Sequence, residues 1–220
     1  MSVIFFNPYR FAKPASFAFT ASAANTSASS SYTFSSLSLG QADSSRRIIV
    51  ALAGQNAART VTSLTVAGVA ATRIIGDNPI APNGPTVQLW IANVPTGTTG
   101  NVVVTLNGNF NSCAVGLYAA YDLTTNTPHA SNQSALASST SIAFGLAHKA
   151  GFIIAAAASS ENAITSFTWT GVNENFDVLI GSSSRAASSA SLTTSDDGTL
   201  TITATPNASG SLRLVAASFY

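Results

Sequence analysis

Apolar positions in this chain recur every second residue. In Thr199-Leu200-Thr201-Ile202-Thr203-Ala204, threonine and apolar side chains alternate. Successive strand side chains point to opposite faces, so the pattern predicts a strand with one buried and one wetted face. Ser211-Leu212-Arg213-Leu214 alternates in the same way, which predicts a wetted face for Arg213. Ile48-Ile49-Val50-Ala51-Leu52 is apolar throughout and predicts a central strand covered on both sides. Between such runs stand turn formers: Pro95-Thr96-Gly97, Asn107-Gly108-Asn109, Asp196-Asp197-Gly198 and Asn207-Ala208-Ser209-Gly210. No stretch carries sustained helical spacing with caps. The alanine-rich runs 155–158 and 186–190 are the only helix candidates. The first aligns with a strand elsewhere in the chain, and the second, flanked by serine, is read as an edge strand.

The same patterns occur twice in the same order. Ile48-Ile49-Val50-Ala51-Leu52-Ala53 is echoed by Ile153-Ile154-Ala155-Ala156-Ala157-Ala158. Val61 to Val69 is echoed by Ile164 to Val172, Gly100 to Leu106 by Gly198 to Ala204, and 117–121 by 215–219. Four blocks in one order predict two copies of one supersecondary unit. The expected organisation is an N-terminal arm and first strand at 1–30, a first repeat at 31–123, a turn-rich linker at 124–137 and a second repeat at 138–220. About a dozen short strands divided by regular turns predict an all-β, antiparallel, jelly-roll-like β-sandwich built from two sequence-related halves. With about six strands per copy, a single sandwich across 31–220 is the first expectation and two small sandwiches the alternative. A long insertion from Gly76 to Thr86, carrying Pro79, Pro82 and Pro85, is read as an exposed loop.

Composition narrows the function. Charged residues make up only 8% of the 220, and nine basic against eight acidic side chains leave a net charge of +1. A binder of nucleic acid needs a basic stripe to displace counterions, so that partner is not expected. The single cysteine, Cys113, excludes an intrachain disulfide and a cysteine-based zinc cluster, and is read as a small buried hydrophobe. No apolar run approaches the roughly 18 residues needed to span a bilayer as a helix. The early apolar stretch Val3-Ile4-Phe5-Phe6 is broken by Asn7-Pro8 and has no basic residue before it, so no export signal is expected.

The inventory for catalysis is thin. His129 and His148 sit in turn-like surroundings without the company a triad needs, and no G-x-S-x-G elbow exists. Asp196-Asp197 read as turn residues, and a calcium site drawing on Asp77, Asn78, Asp196 or Asp197 lacks EF-hand spacing. Neither a cofactor nor a metal is expected. Trp90 and Trp169 are either core residues or, if exposed, a glycan-stacking platform; Trp169 replaces Val66 in the repeat alignment, which favours core. Three sequons, at Asn25, Asn132 and Asn207, are what a serine-rich chain produces. Phe5, Phe6, Tyr9 and Phe11 crowd four aromatics into seven positions outside either repeat. Such a segment either closes a sheet or docks on another subunit, because aromatics are favoured interface anchors.

Three strings carry a resemblance: Ser45-Arg46-Arg47-Ile48-Ile49-Val50, Val61 to Thr72, and Asn93-Val94-Pro95-Thr96-Gly97 to Val104. Together they resemble a class of tailed-bacteriophage and prophage virion proteins that sit on heads, tails or fibres. The likeness covers most of the chain beyond residue 30 as a texture of strand motifs, with no catalytic signature. It implies a non-enzymatic structural protein of the virion, a capsid decoration or head spike or else a tail accessory. The implied partners are capsid, portal-vertex or tail subunits and further copies of itself, with assembly in the host cytoplasm. A carbohydrate-binding module serving adsorption to a host surface glycan is the alternative from a different class.

Overall fold

A computed structural model describes residues 14–55, 59–76, 84–161, 163–180 and 185–220. Its first half contains β1 (Ser16–Asn25), β2 (Ser29–Ser38), β3 (Arg47–Gln55), β4 (Val61–Val66), β5 (Val69–Ala70), β6 (Thr72–Ile75), β7 (Pro85–Asn93), β8 (Thr99–Phe110) and β9 (Ser112–Tyr121). The second contains β10 (Ala130–Gln133), β11 (Ala137–Ser139), β12 (Ile142–His148), β13 (Gly151–Ser159), β14 (Phe167–Thr170), β15 (Asn173–Leu179), β16 (Ala186–Thr194), β17 (Gly198–Pro206) and β18 (Gly210–Phe219). No helix occurs among the described residues, and the sheets are antiparallel and packed face to face, the β-sandwich architecture expected.

Each half closes its own pair of sheets. In the first, an inner sheet ordered β1-β9-β3-β7-β6 packs on an outer sheet ordered β2-β8-β4-β5. In the second, an inner sheet ordered β10-β18-β13-β16-β15, with β11 also on β18, packs on an outer sheet ordered β12-β17-β14. The pairing order is the same in both. The arrangement is therefore two sandwiches rather than one across 31–220. Strand count explains the difference: β1 and β10 add an edge to each inner sheet, and both lie outside the expected repeat boundaries. The supposed linker 124–137 thus contains a strand.

The two inner sheets then pack against each other, giving four layers and three cores. Ile48, Val50 and Leu52 of β3 face the first outer sheet, whereas Ile49, Ala51 and Ala53 face the second inner sheet. This is why β3 is apolar throughout. A third core fills the space between β13 and the second outer sheet, with Ile153, Ala155 and Ala157 among its residues. The seam between inner sheets combines small side chains, including Ala51, Ala114, Ala156 and Ala217, with larger ones such as Ile49, Leu89 and Phe152. At Gly116 a Cβ would lie 2.2 Å from the Phe176 ring, so the glycine is the slot that ring enters.

Several local expectations change in this setting. The run 186–190 is not an edge, because β16 lies between β13 and β15 and buries Ser188 and Ser189. Arg213 is buried rather than wetted, since its face of β18 meets the seam, and burial lowers the pKa of its guanidinium. Asn107-Gly108-Asn109 continues β8 instead of turning. Pro85 and Thr86 are buried at the start of β7, where a strand tolerates proline; the preceding residues 77–83 lie outside the described set. Pairing also corrects the end alignment. Ile48 faces Ala119 and Ile153 faces Ser218, so the counterpart of 117–121 is 216–220, one residue later than the sequence echo.

Candidate assembly site

Among the described residues, the seam is where both halves contribute side chains to a common core. Its centre is aromatic: Phe17 lies 4.8 Å from Phe152 and Phe152 lies 5.2 Å from Phe219, ring centre to ring centre. Phe19 stacks on Phe176 at 5.8 Å and meets Tyr118 edge-on at 5.4 Å. Offset and edge-on contacts of this kind add stabilisation beyond area burial. The Tyr118 hydroxyl bridges the two inner sheets, sharing a hydrogen bond with Ser189 and donating to Asn175 Oδ1 at 2.9 Å. Ser191 Oγ donates to the same oxygen at 2.8 Å. Burial raises the pKa of the Tyr118 phenol, with the Ser189 bond opposing in part.

The two ends of the seam differ. At one end Gln55, itself buried, accepts a hydrogen bond from Arg185 Nη1 and donates to the Ser160 carbonyl at 3.4 Å. At the other end lies an open pocket of about 520 Å³. Pro14 and Ala15 enter its wall from the start of β1, Asp122 from the end of β9, and Ala150, Thr194 and Tyr220 from the second half. The wall is held by local bonds. Thr194 Oγ1 donates to the Lys149 carbonyl at 2.6 Å, and the Ala150 N–H donates to Asp197 Oδ1 at 3.2 Å. Lys149 Nζ stands 4.8 Å from the centre of the Tyr220 ring. A Cβ on Gly151 would meet the Phe219 carbonyl at 2.1 Å, so only glycine lets β13 begin this close to β18. Asp122 adopts a left-handed backbone, φ +57°, and its N–H donates to Ser45 Oγ.

The residues singled out by sequence fall as follows. Phe5, Phe6, Tyr9 and Phe11 lie outside the described residues, as do Asp77 and Asn78. Trp90 is 7% exposed, faces the first core and donates from Nε1 to Gln88 Oε1 at 2.9 Å, so it offers no platform. Trp169 is half-buried against the third core and donates to Ser188 Oγ at 2.8 Å. Trp90 is thus buried and Trp169 half-buried, on separate cores. His129 is exposed and meets Tyr220 edge-on, while buried His148 places Nδ1 3.1 Å from the Asp196 carbonyl. Asp196 and Asp197 occupy the turn before β17, and no grouping of three metal-ligating side chains occurs among the described residues. Cys113 is buried in the first core, where burial raises its thiol pKa.

The cavity itself was not anticipated. Its walls come from five separate stretches of chain, and only the pairing of the two inner sheets brings them together. One signal was present: Phe17 and Phe19 stand at strand spacing immediately after the aromatic N-terminal segment. No protein-family model matches the chain, and a search of curated proteins returns no match either.

Proposed function

We propose that the chain is a non-enzymatic structural component of a tailed-phage virion, seated on the capsid as a decoration or spike and docked through its aromatic N-terminal segment. The observation that carries this reading is where that segment joins the fold. Pro14, the first described residue, lines a pocket of about 520 Å³ at the seam of the two inner sheets, and four aromatics in seven positions precede it in the sequence. The sequence resemblance to virion proteins points the same way. So do the outer faces, where Thr199, Thr201, Thr168 and Thr170 present hydroxyls rather than charges to solvent. A tail or fibre accessory fits the same features. The glycan-binding alternative draws no support from Trp90, which is buried.

Cross-linking mass spectrometry on intact particles tests the proposal. Cross-links from Lys13 to capsid, portal-vertex or tail subunits are expected, together with loss of incorporation when residues 1–14 are deleted. Thermal unfolding of that deletion should stay within a few degrees of the full chain. Absence of the chain from purified particles, or normal incorporation of the deletion, would overturn it.

A further inference from the structure

We propose that the Gln55 end of the seam binds a small inorganic anion, held jointly by Ser112 of the first half and Arg185 of the second. This end lies opposite the pocket lined by Pro14 and Tyr220, and the proposal is independent of the virion reading.

The strand pattern brings the two groups together. Ser112 begins β9 two residues before Ala114, and Arg185 stands two residues before Ala187; both alanines belong to the core between the inner sheets. Side chains two apart along a strand share a face, so Ser112 and Arg185 are turned to the seam. Gln55 follows Ala53 of the same core by two residues and is the cross-strand partner of Ser112. Side chains directly opposite on neighbouring strands have Cβ atoms about 4.5–5.5 Å apart. Arg185 Nη1 donates to Gln55 Oε1, which carries the guanidinium across the seam to that pair. The Arg185 main chain is fixed as well, because its carbonyl accepts from the Ile180 N–H at 2.6 Å.

What these groups lack is an acceptor. Ser112 is fully buried, and neither its Oγ nor the buried Nε of Arg185 has a hydrogen-bond partner among the described residues. A hydroxyl and a guanidinium N–H both bring a hydrogen to donate, and leaving it unmade in the interior is costly. The acceptors beside them are engaged. Gln55 Oε1 takes the Arg185 Nη1 hydrogen, and the Ser160 carbonyl takes that of Gln55 Nε2 at 3.4 Å. Glu161, the next residue, accepts from Ser211 Oγ at 3.2 Å. The Arg185 charge is therefore met by a neutral amide. A water accepting both hydrogens must still place two of its own. An anion accepts without that demand, supplies the countercharge and makes the stronger, charge-assisted bonds. Because its ligands come from different halves, it ties the two inner sheets together.

Urea unfolding of the full chain, followed by tryptophan fluorescence, tests the site. The background salt is sodium gluconate, whose anion is bulky, and sodium chloride or sodium phosphate replaces it at constant ionic strength. Saturable stabilisation is expected: an anion at about ten times its Kd should lower the unfolding constant about 10-fold. A response to chloride alone marks a monatomic ligand and a response to phosphate an oxyanion; either supports the site. Ser112→Ala removes an unmade bond, so it should keep the stability seen in gluconate while binding the anion about 10-fold more weakly. Arg185→Gln should abolish the response; if that variant fails to fold, Ser112→Ala decides alone. Absence of a saturable response to both salts in the wild type overturns the inference. An equal response in the wild type and Ser112→Ala does so too, because it would reflect a general salt effect on the surface.

Discussion

Arg46 is the strongest single test of how the first sandwich is closed. The residue is 1% exposed and sits immediately before β3. Its guanidinium donates five hydrogen bonds to main-chain carbonyls: Nε to Val94 at 2.7 Å, Nη1 to Leu39 at 3.1 Å and Gly40 at 2.9 Å, and Nη2 to Thr96 and Gly97 at 2.7 Å each. One planar fork thereby satisfies two connections at once, the loop after β2 and the loop before β8, whose carbonyls have no strand partners there. A hydrogen bond to a charged group contributes about 1.5–3 kcal/mol, but five of them do not add, because burying the guanidinium itself costs several kcal/mol. Arg46→Met leaves no charge behind but strands up to five carbonyls, at about 1–3 kcal/mol for each that stays dry, so a net loss of about 3–5 kcal/mol results once some of them find water. Arg46→Met is therefore expected to lose about that much, and a chain of this size should melt roughly 6–20 °C lower. Arg46→Lys keeps the charge but offers three donors on a tetrahedral head, so it should recover only part of the loss. Urea unfolding followed through Trp90, which lies in the same core, is the appropriate assay. The loss should be insensitive to salt, since a buried contact is poorly screened. A loss below about 1 kcal/mol for Arg46→Met would refute the reasoning, because the loops would then be finding their partners in water.

Two further outcomes follow from the seam. Gly116→Val places methyl groups where the Phe176 ring lies, and overpacking of this kind costs about 1–3 kcal/mol; Phe176→Ala in the same chain should relieve it, and simple additivity in the double-mutant cycle would contradict the contact. Alkaline pH should weaken the fold. Burial pushes the Tyr32 phenol up to about 12 and raises that of Tyr118 as well, against 10 for a free tyrosine. The folded chain thus keeps protons that the unfolded chain releases, so stability is whole below about pH 10 and declines as pH rises through 12. Urea midpoints at pH 8 and pH 11 should separate in the wild type and draw together in Tyr32→Phe and Tyr118→Phe; equal separation in all three would sink the argument.

Strands were legible because alternation is local. Thr199 to Ala204 could be read as β17, and Ile48 to Ala53 as a strand covered on both sides, from side-chain chemistry alone. What covers the second face was not legible. An apolar face states that it is buried and is silent about by what, so the choice between one sandwich and two rested on strand count, and β10 was hidden in the turn-rich run after Thr124. Arg213 shows the same limit from the other side: alternation with Leu212 and Leu214 gives its face, and only the stacking of the inner sheets turns that face from water to seam. The repeat echo at 215–219 slipped by one residue because Leu, Val and Ala are interchangeable in composition, whereas the pleat distinguishes odd from even. At the candidate site, the pocket wall was not legible, because Pro14 and Ala15 meet residues more than 100 positions away, including Thr194 and Tyr220.

The seam also sets a timetable for synthesis. The first sandwich has all its strands once Tyr121 has left the ribosome, but the apolar face that carries Ile49, Ala51 and Leu89 has nothing to lie against until β13, β16 and β18 have been made. At about 5–20 residues per second, the roughly hundred residues still to come leave that face bare for about 5–20 s. A nascent chain in that state presents a flat, sticky sheet to its neighbours on the same polysome. Expression yield should therefore depend on translation speed through the second half and on chaperone supply, even for variants whose finished fold is fully stable.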